Sequence, residues 1–263
     1  AAGFCYDAHM LFLTLATLFF LGATIASFIG VVVARLNTGQ SFLTGRSRCD
    51  VCSVPLSSLS LIPIVSYVIS RGRARCCRAS ISLFAPLTEL LLGGFFVLAY
   101  LAIGFSVALL YMLLSLELLL ALVLYDLMHQ ILPTTLLSLF ILTSALTGFL
   151  LASSLAGFFS TLSVAFFIAL SLMLIHFLSR GRAMGFADAP FVFGLSLLVG
   201  SAALPGFVFS FWIGAGIGIV LLLQRPRGSR MGVEVPFAPF LAAGFLLAYF
   251  TQWNPFIFIA GLP

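Results

Sequence analysis

The chain has 263 residues, of which 62% are apolar and 7% charged, and a formal net charge of +5. A soluble domain carries about 25% charged residues, so seven acids and twelve bases cannot cover a globule of this size. The composition excludes a soluble globular domain, a disordered chain and a disulfide-stapled secreted module, and describes an integral membrane protein. All twelve bases are arginine; they are too few and too dispersed for a nucleic-acid face, so no nucleic-acid partner is expected.

Residues 1–9 end in His9 before Met10, the kind of junction that expression cloning leaves, and are set apart from the fold as a cloning remnant. The run 10–35 is too long for a signal-peptide core and lacks a basic stretch before it, so it reads as a retained first transmembrane helix. Residues 36–83 hold two prolines, ten serines, six of the twelve arginines and four of the five cysteines, and read as one cytoplasmic loop subdomain. Residues 84–263 form a seven-helix membrane core, with apolar runs near 84–103, 106–125, 134–153, 158–178, 190–204, 207–223 and 237–253. The run 190–204 is short and opens at Pro190, so it is expected to be tilted, irregular or partly buried in protein. None of the runs alternates apolar and polar residues, which excludes a barrel. The expected fold is all-α: a polytopic membrane protein of about eight transmembrane helices.

With eight spans every arginine falls on one side. Arg35, Arg46, Arg48, Arg71, Arg73, Arg75 and Arg78 follow the first span, Arg180 and Arg182 the fifth, and Arg225, Arg227 and Arg230 the seventh. The positive-inside bias makes that side cytoplasmic, with both termini outside.

Carboxylates in or beside membrane spans cost roughly 2.5–3.5 kcal/mol on insertion scales and are functional candidates by default. Asp126 ends the third span and Asp188 follows the loop after the fifth, so both are expected at the cytoplasmic membrane edge. Two carboxyls at one depth can form a dyad that shares a proton, one ionised to activate water and one protonated to polarise a peptide carbonyl. From the residues alone two other readings stay open: separate ion pairs, such as Asp188 with Arg182, and the proton-relay acids of a transporter. Glu89 reads first as an ion-pair partner of Arg78. Glu117 lies about half a turn round the helix from Asp126 and is expected to pair with a polar group in the bundle. His129, one turn after Asp126, reads as a surface residue.

Local strings along the chain resemble the bacterial prepilin peptidases, the type IV prepilin leader peptidases among the GxGD-type intramembrane aspartyl proteases. Ala26-Ser27-Phe28-Ile29-Gly30 through Arg35-Leu36 resembles GSFLNVVIYRLP, with Gly30 in the place of Asn. Arg46-Ser47-Arg48-Cys49-Asp50-Val51-Cys52 resembles RSxCPxC, Ile62-Pro63 with Ser66-Tyr67 resembles IPxxSW, and Arg71-Gly72-Arg73 resembles RGRC. Ile81-Ser82 with Pro86 and Glu89-Leu90 is similar to ISxxYPxxEL, and Val235 to Leu241 to PFGPxL. Asp126-Leu127 with Leu132-Pro133 is similar to the first catalytic motif and Gly185-Phe186-Ala187-Asp188 to the second.

The resemblance implies that Asp126 and Asp188 are the catalytic pair, supported by Gly185, Ala187 and Pro133. Among the other acids, Glu89 is also a candidate substrate contact, and Glu234 reads either as an anchor of the eighth span or as a contact of the substrate's basic leader. It implies type IV prepilins or pseudopilins as substrates, cut at the cytoplasmic face of the bacterial inner membrane, with no cofactor for the peptidase. It also implies N-methylation of the new terminus with S-adenosylmethionine, and zinc on a tetracysteine loop, here Cys49, Cys52, Cys76 and Cys77. Three departures stand out. Ala187 replaces the second glycine of GxGD, which matters if that position has φ above zero. Pro190 replaces a lysine and removes a backbone donor. Ala74 takes the place of the third cysteine, and the side chains of adjacent Cys76 and Cys77 are expected to diverge, so a metal-free thiol cluster stays open beside zinc. An inactive homologue acting as a scaffold, and a proton-coupled transporter using the same carboxylates, are the rival functions.

Overall fold

The computed structural model describes residues 2–36, 48–49, 51–57, 61–182, 184–224 and 236–256. Its described residues are helical apart from turns and two isolated bridges, and divide into two compact units, Ala1–Phe105 and Ser106–Pro263. Apolar side chains satisfy the hydrophobic requirement of a membrane only if the backbone closes its own hydrogen bonds, and a helix does that within one segment.

The first unit contains α1 (Ala2–Arg35), the short α2 (Val65–Ser70) and α3 (Phe84–Ile103). Helix α1 takes in residues 2–9 of the stretch read as a cloning remnant, and its membrane-length stretch is His9–Arg35. Helices α1 and α3 meet backbone to backbone at Gly22 and Gly93: a methyl on Gly93 would stand 2.7 Å from the Phe19 carbonyl oxygen. Small residues at such crossings let van der Waals contact replace the hydrophobic drive that lipid cannot supply. Thr14 and Thr24 turn their hydroxyls back to the carbonyls of Met10 and Phe20, which removes the cost of a bare hydroxyl in lipid.

The second unit contains α4 (Val107–His129), α5 (Thr134–Leu151), α6 (Leu155–Leu178), α7 (Asp188–Val199), a 3-10 turn at Gly200–Ala202, α8 (Ala203–Leu223) and α9 (Ala238–Thr251). Ser106 and Ser154 start α4 and α6 by accepting the Leu109 and Gly157 amides. Helix α7 forms the centre: Phe191, Val192 and Leu195 are wholly buried, against α5 and α6 on two sides. Its crossing with α5 is tight, because a methyl on Gly194 would stand 2.7 Å from the Phe140 ring. The outward faces carry Phe166, Phe167, Leu178 and Leu223, more than half exposed, as lipid-facing residues should be.

Each of the eight expected apolar runs is a helix among the described residues. Among the described residues six stretches are long and apolar enough to cross a membrane, with α7 and α8 counted within one of them, Asp188–Leu221, while Ala238–Thr251 is shorter. The expected short run is α7, which is irregular in the expected way: it is enclosed in protein, and it ends at Gly200, whose φ of +61° breaks the helix.

Candidate active site

Asp126 and Asp188 lie in the same unit, and both are buried, 8% and 9% exposed. Asp126 belongs to the last turn of α4, which stops at Gln130, a left-handed residue with φ 54° whose amide closes on the Asp126 carbonyl. The Asp126 carboxylate accepts the backbone N–H of Ala238 at 3.2 Å, the first residue of α9. It therefore stands at the positive end of a helix, where an anion is favoured. Asp188 is the first residue of α7, and its Oδ2 accepts the Gly185 N–H at 3.0 Å. Asp188 feels the charges of Asp126 and His176. The site thus holds two buried carboxyls, each accepting a backbone amide, with Asp126 within electrostatic reach of Asp188; carboxyls close enough to share a proton divide acid and base roles.

The two departures in the second motif fit the backbone. Ala187 has φ −71° and ψ −16°, the right-handed region, so its methyl carries no conformational cost. Pro190 is the third residue of α7, where its missing N–H is one that the first helical turn leaves without an intrahelical partner. Gly185 is the position where size matters: a methyl there would lie 3.3 Å from Asp188 Oδ2. Pro133 starts α5 at φ −63° and so fixes the turn that follows Asp126.

Asp188 makes no ion pair with Arg182 among the described residues; the Arg182 Nε turns back to the Ser179 carbonyl. Glu89 does not pair with Arg78 either. It is 7% exposed, and its Oε2 accepts the Ile64 N–H at 2.7 Å, which ties the loop to α3. Glu117 is half-buried and, against expectation, finds no hydrogen-bond or ion-pair partner among the described residues. His129 is exposed and packs on the Tyr125 ring with centroids 4.4 Å apart. Glu234 lies outside the described residues. His176 was passed over in the sequence because it sits inside an apolar run, yet its Nδ1 lies 2.8 Å from the Met184 carbonyl oxygen in the loop that delivers Asp188.

The loop of the first unit contains a second constellation. Cys49 to Val54 forms a tight knuckle: the Ser53 amide donates to Cys49 O, the Cys49 amide to Val54 O, and Ser53 has φ 58°. Ala74 to Ala79 repeats it 25 residues later, with Arg78 at φ 58° and bridges Arg48–Pro55 and Arg73–Ser80 in matching places. Ala74 therefore occupies the place of Cys49, and Cys77 that of Cys52. Cys76 supplies the missing sulfur from the turn itself. The expected divergence of the adjacent cysteines does not occur. Cys76 and Cys77 have sulfurs 3.9 Å apart, Cys49 and Cys77 3.8 Å, Cys52 and Cys76 3.2 Å, and all four lie within 4.8 Å of one another. Zinc held at about 2.3 Å by four thiolates sets its sulfurs about 3.8 Å apart, so the four residues fit a tetrathiolate metal. The amides of Cys52 and Val51 aimed at the Cys49 sulfur bring its pKa down to about 6, whereas the neighbouring Cys52 thiol, followed by Cys49, pushes Cys76 up to about 12. Without metal the cluster thus concentrates its negative charge on Cys49.

The fold and the two sites define a class: a polytopic α-helical membrane protein with a buried carboxylate pair in one unit and a thiol knuckle pair in the other. Residues 20–103 match the Bacterial Peptidase A24 N-terminal domain family. The chain is 30% identical to the prepilin leader peptidase/N-methyltransferase of Bacillus subtilis (strain 168) over 89% of this chain and 93% of that one. It is 31% identical to the protein of the same name from Dickeya chrysanthemi over 91% of this chain and 95% of the other. A Myxococcus xanthus (strain DK1622) protein of that name is 43% identical over 79 residues, 24% of its own length. No solved structure matches. The chain belongs to the prepilin leader peptidase/N-methyltransferase family.

Proposed function

We propose that the chain is an aspartyl endopeptidase of the bacterial inner membrane that removes the short basic leader of type IV prepilins or pseudopilins at the cytoplasmic face. The observation that carries this reading is the placement of Asp126 and Asp188: both buried, in one unit, each carboxylate accepting a backbone amide, with Asp188 subject to the charge of Asp126. The ionised carboxylate takes a proton from water as the water oxygen bonds to the scissile carbonyl carbon. The protonated carboxyl gives its proton to the carbonyl oxygen. The resulting tetrahedral diol then collapses: one hydroxyl returns its proton to the ionised carboxylate as the C–N bond breaks, and the leaving amine takes a proton from the protonated carboxyl. The arginine asymmetry supports the cytoplasmic side as the place of cleavage.

The N-methyltransferase in the names of the relatives supports a second activity, which we propose to be methylation of the new N-terminus with S-adenosylmethionine as donor. Zinc on Cys49, Cys52, Cys76 and Cys77 would act as a cross-link between the two knuckles.

The test is cleavage of a prepilin by the purified enzyme in liposomes. Wild type is expected to release the leader, whereas Asp126→Asn and Asp188→Asn each lose on the order of a thousandfold in rate, the scale of general acid–base catalysis. Cleavage that survives either substitution removes the dyad. A wild-type protein inert towards several prepilins points to the scaffold, and proton-coupled uptake lost on the same substitutions to the transporter.

A further inference from the structure

One peptide unit in the loop before α7 makes hydrogen bonds at both ends. The N–H of Gly185 donates to Asp188 Oδ2 at 3.0 Å. The carbonyl on the other side of the same peptide bond belongs to Met184, and His176 Nδ1 lies 2.8 Å from its oxygen. A carbonyl oxygen only accepts, so Nδ1 carries the hydrogen. The result is a chain of two hydrogen bonds: imidazole to peptide carbonyl, peptide N–H to carboxylate. Donation to the carbonyl polarises the amide and strengthens the N–H as a donor at the far end.

The surroundings hold the imidazole in that pose. His176 is in the last turn of α6, and the Gly181 amide closes that turn by donating to the His176 carbonyl. Gly181 has φ 75°, and a methyl on it would stand 3.3 Å from the His176 ring. Phe186, the residue after the bridged peptide, meets the imidazole edge to face with centroids 5.7 Å apart. His176 is thus fixed from its own helix and from the loop it orients.

We propose that His176 is a positioning residue for the peptidase: it acts on Asp188 through the Met184–Gly185 peptide and sets the orientation of that carboxylate for catalysis. The proposal rests on the assignment of Asp188 to the dyad.

The experiment measures kcat and KM for prepilin cleavage in liposomes for three substitutions. His176→Phe keeps a ring against Phe186 but has no donor. His176→Leu is a second donorless variant of different shape. His176→Asn puts an amide N–H where Nδ1 stands. Both donorless variants are expected to lose about tenfold in kcat, the worth of one ordinary hydrogen bond, with KM held within about twofold. His176→Asn is expected to recover kcat to within about threefold of wild type. Wild-type kcat in a donorless variant overturns the proposal, as does an equal loss in all three, since packing alone would then explain the effect. Asp188→Asn is assayed beside them. Its loss of cleavage together with an unaffected His176→Phe overturns the role of His176 only, whereas cleavage surviving Asp188→Asn overturns the peptidase assignment and the proposal with it.

Discussion

The thiol knuckles and the carboxylate pair solve the same problem, bringing distant residues together, with opposite tolerance. In the loop, the sulfurs themselves form the centre, and a thiol can be supplied from more than one place on a turn. Cys76 does this: it stands two positions after Ala74, which holds the place that Cys49 holds in the first knuckle, and still comes within 3.2 Å of the Cys52 sulfur. The carboxylates have no such freedom. Asp126 is placed by the end of α4 and the start of α9, and Asp188 by the start of α7 and the Gly185 amide. A ligand set closed by a metal can migrate along the chain, whereas a pair positioned by helix ends cannot move without moving the helices.

The sharpest way to break this contrast is to shift a carboxyl within its turn. Asp188→Ala with Ala187→Asp moves the acid by one residue, about 100° round the helix. Cleavage is expected to fall to the level of Asp188→Asn, and a retained rate would show that the pair tolerates migration as the thiols do. Gly185→Ala comes next. The added methyl would press on Asp188 Oδ2 at 3.3 Å, and a misplaced reacting group costs up to about a hundredfold, so a fall in kcat of between about tenfold and a hundredfold is expected with bound metal unchanged.

On the other side of the comparison, Cys76→Ser is expected to lower zinc retained after dialysis against a chelator, measured by elemental analysis. Adding Ala74→Cys is expected to restore it, because position 74 matches position 49 in the repeated knuckle. Failure of that rescue would tie the cluster to Cys76 and end the claim of tolerance. The smallest effect belongs to Ala187→Gly. With φ already right-handed at −71°, the change only adds backbone freedom, worth up to about 1 kcal/mol; cleavage within about threefold of wild type is expected, and a much larger change would mean that the methyl takes part in placing Asp188.

Much of the molecule is legible before folding. The eight apolar runs follow from composition, since a lipid-facing helix needs only length and apolarity. The two aspartates are legible because an acid at a span end is costly and therefore conspicuous. The roles of Glu89 and Glu117 are not. Charge alone suggested an ion pair for Glu89, yet its carboxylate takes the Ile64 amide, whose position depends on a loop that returns to α3.

The sequence by itself determined that this is a helical membrane protein with four clustered cysteines and two acids at span ends, because those properties are local in composition and spacing. Only the tertiary structure decided that Cys76 stands in for the sulfur absent at Ala74, that Ala187 and Pro190 sit without strain, and that one peptide bond joins His176 to Asp188. Each of these depends on the direction in which a turn aims a side chain or an amide, and that direction is set by the elements packed around the turn.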